Sequence, residues 1–271
     1  HTATTEWGTS TTVLLPENCE GLVYYLPTPK SPHGVDVNPT GEYIVPGGKL
    51  SATIAVHSFA NMLDAIANND LEGYAYGIPI LSFEATVAGQ VERACLGPLH
   101  NEFDSKGNVY TSCFLTSEII KWNLESFEVT DRIPVYYSVG HLMIPGGDSM
   151  QPWDTYVLAM NKITKDRYLP TGPELAHSAQ LIDISGNTMQ MLLDFPTLGE
   201  PHYAQAVPAE LVAPNSQLIY SLAENQHEYV VKSEADVRVE RDGSDVHIYM
   251  TAIRSHFAPD VIEGIKLGDT V

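Results

Sequence analysis

Four histidines fall at matching places in a repeated pattern, and that repeat limits the fold more than any other feature of the chain. His33 opens a strand-like run, a Pro-Thr-Gly turn follows, a second run returns, and a third ends at Val56. The stretch around His100 repeats the plan, with Leu99 to Phe103, a turn over Asp104 to Asn108, then Val109 to Phe114 and Ile119 to Leu124. His141 and His202 also stand where a Gly- or Pro-bearing loop leads into a strand. The four are separated by 67, 41 and 61 residues, the size of a four-stranded unit with occasional insertions. The expected fold class is therefore all-β, an incomplete β-propeller of about four blades over residues 1–271. In such a fold the equivalent inner-strand positions face one another at one end of a central axis.

The local pattern agrees. Val23 to Leu26, Tyr43 to Val45, Ala52 to Val56, Val109 to Thr111, Ile119 to Trp122, Tyr156 to Leu158 and Leu181 to Ile184 are β-branched or aromatic runs of strand length. Turn signals at Asn38 to Gly41, Asp104 to Asn108, Ser185 to Asn187 and Asp242-Gly243 separate them. One segment departs: behind Ser58, the residues Phe59, Met62, Leu63 and Ile66 follow helical spacing, which predicts one short inserted helix with its apolar stripe in the core.

Composition excludes several classes. The 271 residues carry 14 Lys and Arg against 34 Asp and Glu, a net charge of −20, so a phosphate-backbone footprint is missing and no nucleic-acid partner is expected. No apolar run approaches the roughly 18 residues of a membrane-spanning helix. The first residue is His1 rather than Met, and no leader pattern follows it, so the chain reads as processed or cut from something longer. Cys19, Cys95 and Cys113 form an odd set without C-x-x-C spacing, which predicts no disulfide framework, no thiolate metal site and at least one buried thiol.

If His33, His100, His141 and His202 occupy equivalent inner-strand positions, they form a ring of imidazoles. Neutral imidazoles suit copper, zinc, iron or nickel, and with no carboxylate or thiolate repeated beside them copper is favoured. Asp36, Asp104, Asp148 and Glu200 are placed to orient the rings from behind. No G-x-S-x-G, H-E-x-x-H or G-x-G-x-x-G motif competes.

Several motifs together resemble one family. Ser31-Pro32-His33-Gly34-Val35-Asp36, Gly47-Gly48-Lys49-Leu50-Ser51, Leu96-Gly97-Pro98-Leu99-His100, Lys121-Trp122-Asn123, Val139-Gly140-His141-Leu142, Met160-Asn161-Lys162, Lys165-Asp166-Arg167, Gln180 to Ile184 and Glu200-Pro201-His202-Tyr203 are similar to the propeller of nitrous oxide reductase. The surroundings of His141 and His202 are closer to the branch called clade II or atypical.

The resemblance implies a seven-bladed propeller holding a tetranuclear copper–sulfide cluster on seven histidines. Of these, His33, His100, His141 and His202 match four. It implies a lysine near the cluster, for which Lys121 is nominated as the catalytic residue. It also implies calcium, with an acidic residue near positions 174–177, where Glu174 and His177 stand, and Ser31 where many members have Asn. N-terminal blades and a C-terminal cupredoxin domain with a binuclear copper site have no counterpart in these residues, so the chain reads as the central-to-C-terminal part of the propeller, inactive alone. The implied whole enzyme reduces nitrous oxide to dinitrogen and water, works as a homodimer outside the cytoplasmic membrane (a periplasmic location), and takes electrons from a small cytochrome c or cupredoxin. The rival readings are a non-catalytic propeller that binds a partner as a scaffold, and a mononuclear-metal hydrolase or lactonase on a propeller.

Overall fold

The computed structural model describes residues 2–162, 177–197, 199–214, 231, 236–253, 256–259 and 261–271. The chain divides into two units, His1–Val207 and Pro208–Val271.

The first unit begins with a hairpin of β1 (Thr2–Thr4) and β2 (Ser10–Thr12) and then holds three four-stranded antiparallel sheets. In the first sheet, β3 (Pro32–Val37), β4 (Tyr43–Gly48) and β5 (Ile54–Ser58) pair in order. An insertion of α1 (Phe59–Asn68), the hairpin β6 (Leu71–Ala75) and β7 (Ile78–Leu81), and α2 (Phe83–Thr86) precedes the outer strand β8 (Val87–Val91). The second sheet is β9 (Pro98–Phe103), β10 (Asn108–Cys113), β11 (Glu118–Asn123) and β12 (Val129–Pro134). The third is β13 (Val139–Met143), β14 (Tyr156–Asn161), β15 (His177–Asp183) and β16 (Gln190–Thr197). The first strand of the second sheet packs against the first strands of both its neighbours, which makes these strands the inner ones of successive propeller blades.

Period-two alternation explains why the sheets stack. In the second sheet Val109, Cys113, Ile120 and Trp122 join Val45, Ile54, Val56 and Val91 in a core against the first sheet. Tyr110 and Ile119 point the other way, into a core with Val139, Leu142, Val157 and Ile182 of the third. The middle sheet is thus buried on both faces.

The second unit contains α3 (Ala209–Val212) and two hairpins, β17 (Arg238–Asp242) with β18 (Asp245–Tyr249) and β19 (Thr251–Ile253) with β20 (His256–Ala258). The described residues therefore hold three complete blades, and His202 lies in the strand-free stretch 201–208 after the third.

Three expectations are corrected. Val23 to Leu26 is not a strand, because only Tyr25 makes an isolated bridge, to Ile80 of the inserted hairpin. The helix forms where predicted, capped by Ser58 Oγ accepting from Asn61 N at 3.1 Å and ended by Asn69 in the left-handed region, but its stripe is not core. Only Ala65 is buried, while Phe59 and Leu63 remain about half exposed, since α1 lies outside β5. Cys95 and Cys113 form a disulfide, and the free Cys19 is half-buried rather than buried. The strand pattern hid this pair, which lies 18 residues apart and is brought together where Cys113 of β10 meets the loop before β9.

Candidate metal centre

Each of the three sheets breaks its register at a histidine on its first strand. The β3–β4 ladder shifts between His33 and Val35. The β9–β10 ladder shifts opposite Leu99 and His100, between Thr111 and Cys113, and the β13–β14 ladder shifts between Val139 and Leu142, around His141. A bulge bends a strand and re-aims a side chain, so three repeats use one device to turn three imidazoles the same way. Gly34 takes φ 66°, and a Cβ there would stand 2.5 Å from Leu99 O and 2.6 Å from His100 Nδ1. Glycine is needed both for that backbone and for the close approach of the rings.

The rings converge. Centroids lie 5.1 Å apart for His33 and His100, 4.0 Å for His100 and His141 with planes at 28°, 4.4 Å for His141 and His202, and 6.5 Å for His33 and His141. The four therefore trace an arc, and among the described residues no three His, Cys, Asp or Glu side chains are placed to hold one metal ion. His33 Nδ1, His100 Nε2 and His141 Nδ1 are buried without a hydrogen-bond partner. Burial, and next the charge of His100, hold His33 below the usual imidazole value and push His141 down to about 3. Both rings are neutral at pH 7, with lone pairs free for a ligand.

The groups behind the rings divide. Asp36 accepts from Asn101 N, and its Oδ1 lies 3.8 Å from His100 Nδ1. Glu200 Oε1 lies 3.1 Å from both His202 Nδ1 and Lys162 Nζ, and Lys162 Nζ is 3.3 Å from His202 Nδ1. The hydrogen bond with His202, followed by that with Lys162, holds the Glu200 carboxyl below its usual range. Asp104 and Asp148 do not orient a ring. Asp104 closes its own turn, accepting from Lys106 N, Asn108 N and Nδ2 and Tyr110 OH, which is the ordinary chemistry of an Asp before Gly. Asp148 is exposed and accepts from Tyr203 OH.

The resemblance nominates Lys121 as the lysine near the cluster. It sits on the third strand of its sheet, buried between Tyr110 and Asp131 in the pairing, with its ammonium 5.8 Å from the Tyr110 ring centroid. Lys162, whose ammonium stands beside His202, directly follows β14 and donates its backbone N–H to Ser138 O beside the third bulge. A Cβ on Gly140 would overlap the Lys162 side chain, so that glycine makes its room. Periodicity could not reveal Lys162, because its place depends on cross-strand register. Glu102 was missed too. It is buried, with desolvation and then Asp148 and Asp36 raising its carboxyl to about 9, and it fills the space that a side chain on Gly147 would take. Glu174, Lys165, Asp166 and Arg167 lie outside the described residues, while His177 starts β15 with Nδ1 buried and unpartnered.

Stacked four-stranded sheets whose first strands bring imidazoles beside one another define a β-propeller-repeat protein with neighbouring histidines on successive repeats. Residues 132–202 match the nitrous oxide reductase propeller repeat. Across 263 residues the chain is 30% identical to nitrous-oxide reductase of Stutzerimonas stutzeri, an overlap that takes in 91% of this chain and 39% of that protein. The counterparts from Ralstonia nicotianae and Cupriavidus necator are each 34% identical over 261 residues, 92% of this chain and 38% of theirs. The chain is thus similar to these nitrous-oxide reductases and matches their propeller repeat over residues 132–202, and it spans less than two-fifths of the length of these relatives.

Proposed function

We propose that this chain supplies His33, His100, His141 and His202 to a tetranuclear copper–sulfide centre at which the whole enzyme reduces nitrous oxide to dinitrogen and water. The observation that carries the reading is the arc of rings from successive repeats, three of them with buried ring nitrogens that nothing else engages. Buried polar atoms are nearly always paired, so three unpartnered nitrogens on neighbouring rings fit a donor set for ions that imidazole suits.

Copper held there would donate electron density to nitrous oxide, a weak and inert ligand, and polarise its oxygen. The residues of the chain do the rest. The imidazoles bind without adding negative charge, and depressed basicity keeps His33 and His141 unprotonated and available. Lys162 Nζ and Glu200 Oε1 pair with each other beside His202 Nδ1, and Glu200, which accepts from that nitrogen, fixes the ring. Asp36 steadies the strand that carries His100.

A location outside the cytoplasmic membrane is supported by the Cys95–Cys113 pair, because disulfides persist in oxidising compartments. Among the described residues no helix is long and apolar enough to cross a membrane. Calcium, a small electron-donor protein and a homodimer belong to the same proposal through the resemblance described in the sequence analysis.

Anaerobic reconstitution of the chain with Cu(I), followed by metal analysis and visible absorption, tests the centre. More than one copper per chain is expected, and His100→Ala should lose it while keeping the far-ultraviolet spectrum. Copper near zero in the unaltered chain rejects the metal centre and leaves a propeller that binds a partner.

A further inference from the structure

We propose that Ser112 is a positioning residue that sets the spacing of His100 and His141, an inference that rests on the metal-centre reading above. The argument begins at the two bulges. On β9 and β10, Asn101 pairs with Thr111 and Pro98 with Cys113, so Leu99 and His100 together oppose the single residue Ser112. On β13 and β14, Val139 pairs with Asn161 and Leu142 with Ala159, so Gly140 and His141 fall in the gap. Each bulge takes backbone groups out of the ladder, and a buried backbone group must be paired elsewhere.

One hydroxyl does this for both. Ser112 Oγ accepts from His100 N at 3.1 Å and donates to Gly140 O at 2.6 Å, crossing from the second sheet to the third. Ser112 is fully buried, so water does not substitute for it. It thereby ties the backbone at one histidine to the backbone next to another.

The rings have no equivalent tether of their own. His100 Nε2 and His141 Nδ1 have no hydrogen-bond partner, and Asp36 Oδ1, at 3.8 Å from His100 Nδ1, is beyond hydrogen-bond range. Their stacking at 4.0 Å therefore follows from where the two bulged strands hold them. An error of an ångström in that spacing is enough to spoil a binding constellation. Alanine at 112 would leave an N–H and a carbonyl unpaired at the two positions whose relative placement matters most.

Ser178 provides the control. It is equally buried and its Oγ also works both ways, accepting from Asn161 Nδ2 at 3.1 Å and donating to Tyr136 O at 2.7 Å, but it bridges no histidine bulge. A role confined to packing would make Ser112→Ala and Ser178→Ala behave alike.

The test uses the whole chain with histidine-selective labelling, first without metal and then with Cu(I) under chelator competition. The unaltered chain and Ser178→Ala should show nuclear Overhauser contacts between the His100 and His141 rings. Ser112→Ala should lose them, with Cu(I) affinity falling at least tenfold against less than twofold for Ser178→Ala. Ser112→Thr keeps the hydroxyl and should restore the ring contacts, which keeps the test open if the alanine variant does not fold. Retained ring contacts in Ser112→Ala, an equal loss in Ser178→Ala, or a folded Ser112→Thr without the contacts each overturns the proposal. The ring contacts are read without metal, so an unaltered chain that shows them but takes up no copper removes the metal centre alone.

Discussion

Asp36 and Asn101 join the first two sheets by a paired contact: Asp36 Oδ2 accepts from Asn101 N at 2.7 Å and from Asn101 Nδ2 at 3.1 Å. The amide also donates to Val45 O, and its oxygen accepts from Thr111 Oγ1, which in turn accepts from Trp122 Nε1. Asn101→Ala would leave several of these buried groups unpaired. It is expected to lower the unfolding free energy by about 3 kcal/mol, since each orphaned partner costs about 1–3 kcal/mol. Denaturant titration followed by far-ultraviolet circular dichroism measures this. A double-mutant cycle with Asp36→Ala should return a coupling of about 1–3 kcal/mol, and additive effects would show that the pair is not a unit.

Gly47 faces backbone on two sides. A Cβ there would overlap Leu99 O and His33 O, neither of which can rotate away. Gly47→Ala is expected to cost more than about 3 kcal/mol or to prevent folding, as strained core substitutions do. Gly41 makes the comparison: its φ is 77° and nothing lies within 4 Å of its would-be Cβ. Gly41→Ala should cost only the left-handed strain, about 1 kcal/mol. Equal melting temperatures for the two variants would contradict the close packing at Gly47.

The repeat was legible in the sequence because the features that define it are local. Alternation from Val109 to Phe114 needs only period two, and the turn over Asp104 to Asn108 needs only its own residues. The meeting of His33, His100 and His141 was legible for a further reason, since equivalent positions in stacked repeats must converge. What depended on register was not legible. Lys121 and Lys162 look alike as residues, and only the pairing of Asn161 with Val139 brings the second to the rings. The exposed side of α1 was invisible for a similar reason, because spacing gives a stripe but not what covers it.

The Cys95–Cys113 bridge spans 18 residues and ties the loop before β9 to the end of β10. Closing a loop of this length restricts the unfolded chain, so reduction, or Cys95→Ala with Cys113→Ala, is expected to cost about 3 kcal/mol. Thermal unfolding with and without reductant reads the difference, and an unchanged midpoint would show that the bridge does not hold the fold.

His57 gives the fold a pH dependence apart from the histidine cluster. It is fully buried on β5, with Nδ1 3.1 Å from Thr86 Oγ1 and Nε2 unpartnered. Thr86 Oγ1 donates to the Ser82 or Phe83 carbonyl and is thus the acceptor for Nδ1–H. Burial lowers the imidazole to about 4 from 6.5. Below pH 6.5 the unfolded chain binds a proton that the folded chain refuses, so the stability this residue contributes is complete above 6.5 and drains away toward pH 4. The slope is about 1.4 kcal/mol per pH unit within that window. His57→Gln should flatten the curve, making the loss between pH 7.5 and 4.5 smaller by about 2 kcal/mol. Parallel curves for the two proteins would refute this assignment.

His141 should behave opposite to an ordinary buried residue. Its ring is held against His100 with Nδ1 unpartnered and with burial driving its basicity down to about 3, a placement that costs the fold rather than supporting it. Binding sites commonly hold such unfavourable groups, and removing them trades function for stability. His141→Leu replaces an orphaned polar atom with an apolar one of similar size. Its unfolding free energy is expected to be unchanged or higher by about 1 kcal/mol, while copper uptake falls. Chemical denaturation beside copper analysis of the same preparation checks both halves. A loss of several kcal/mol would mean that His141 is held for structure, and the argument from its unpaired nitrogen would fail.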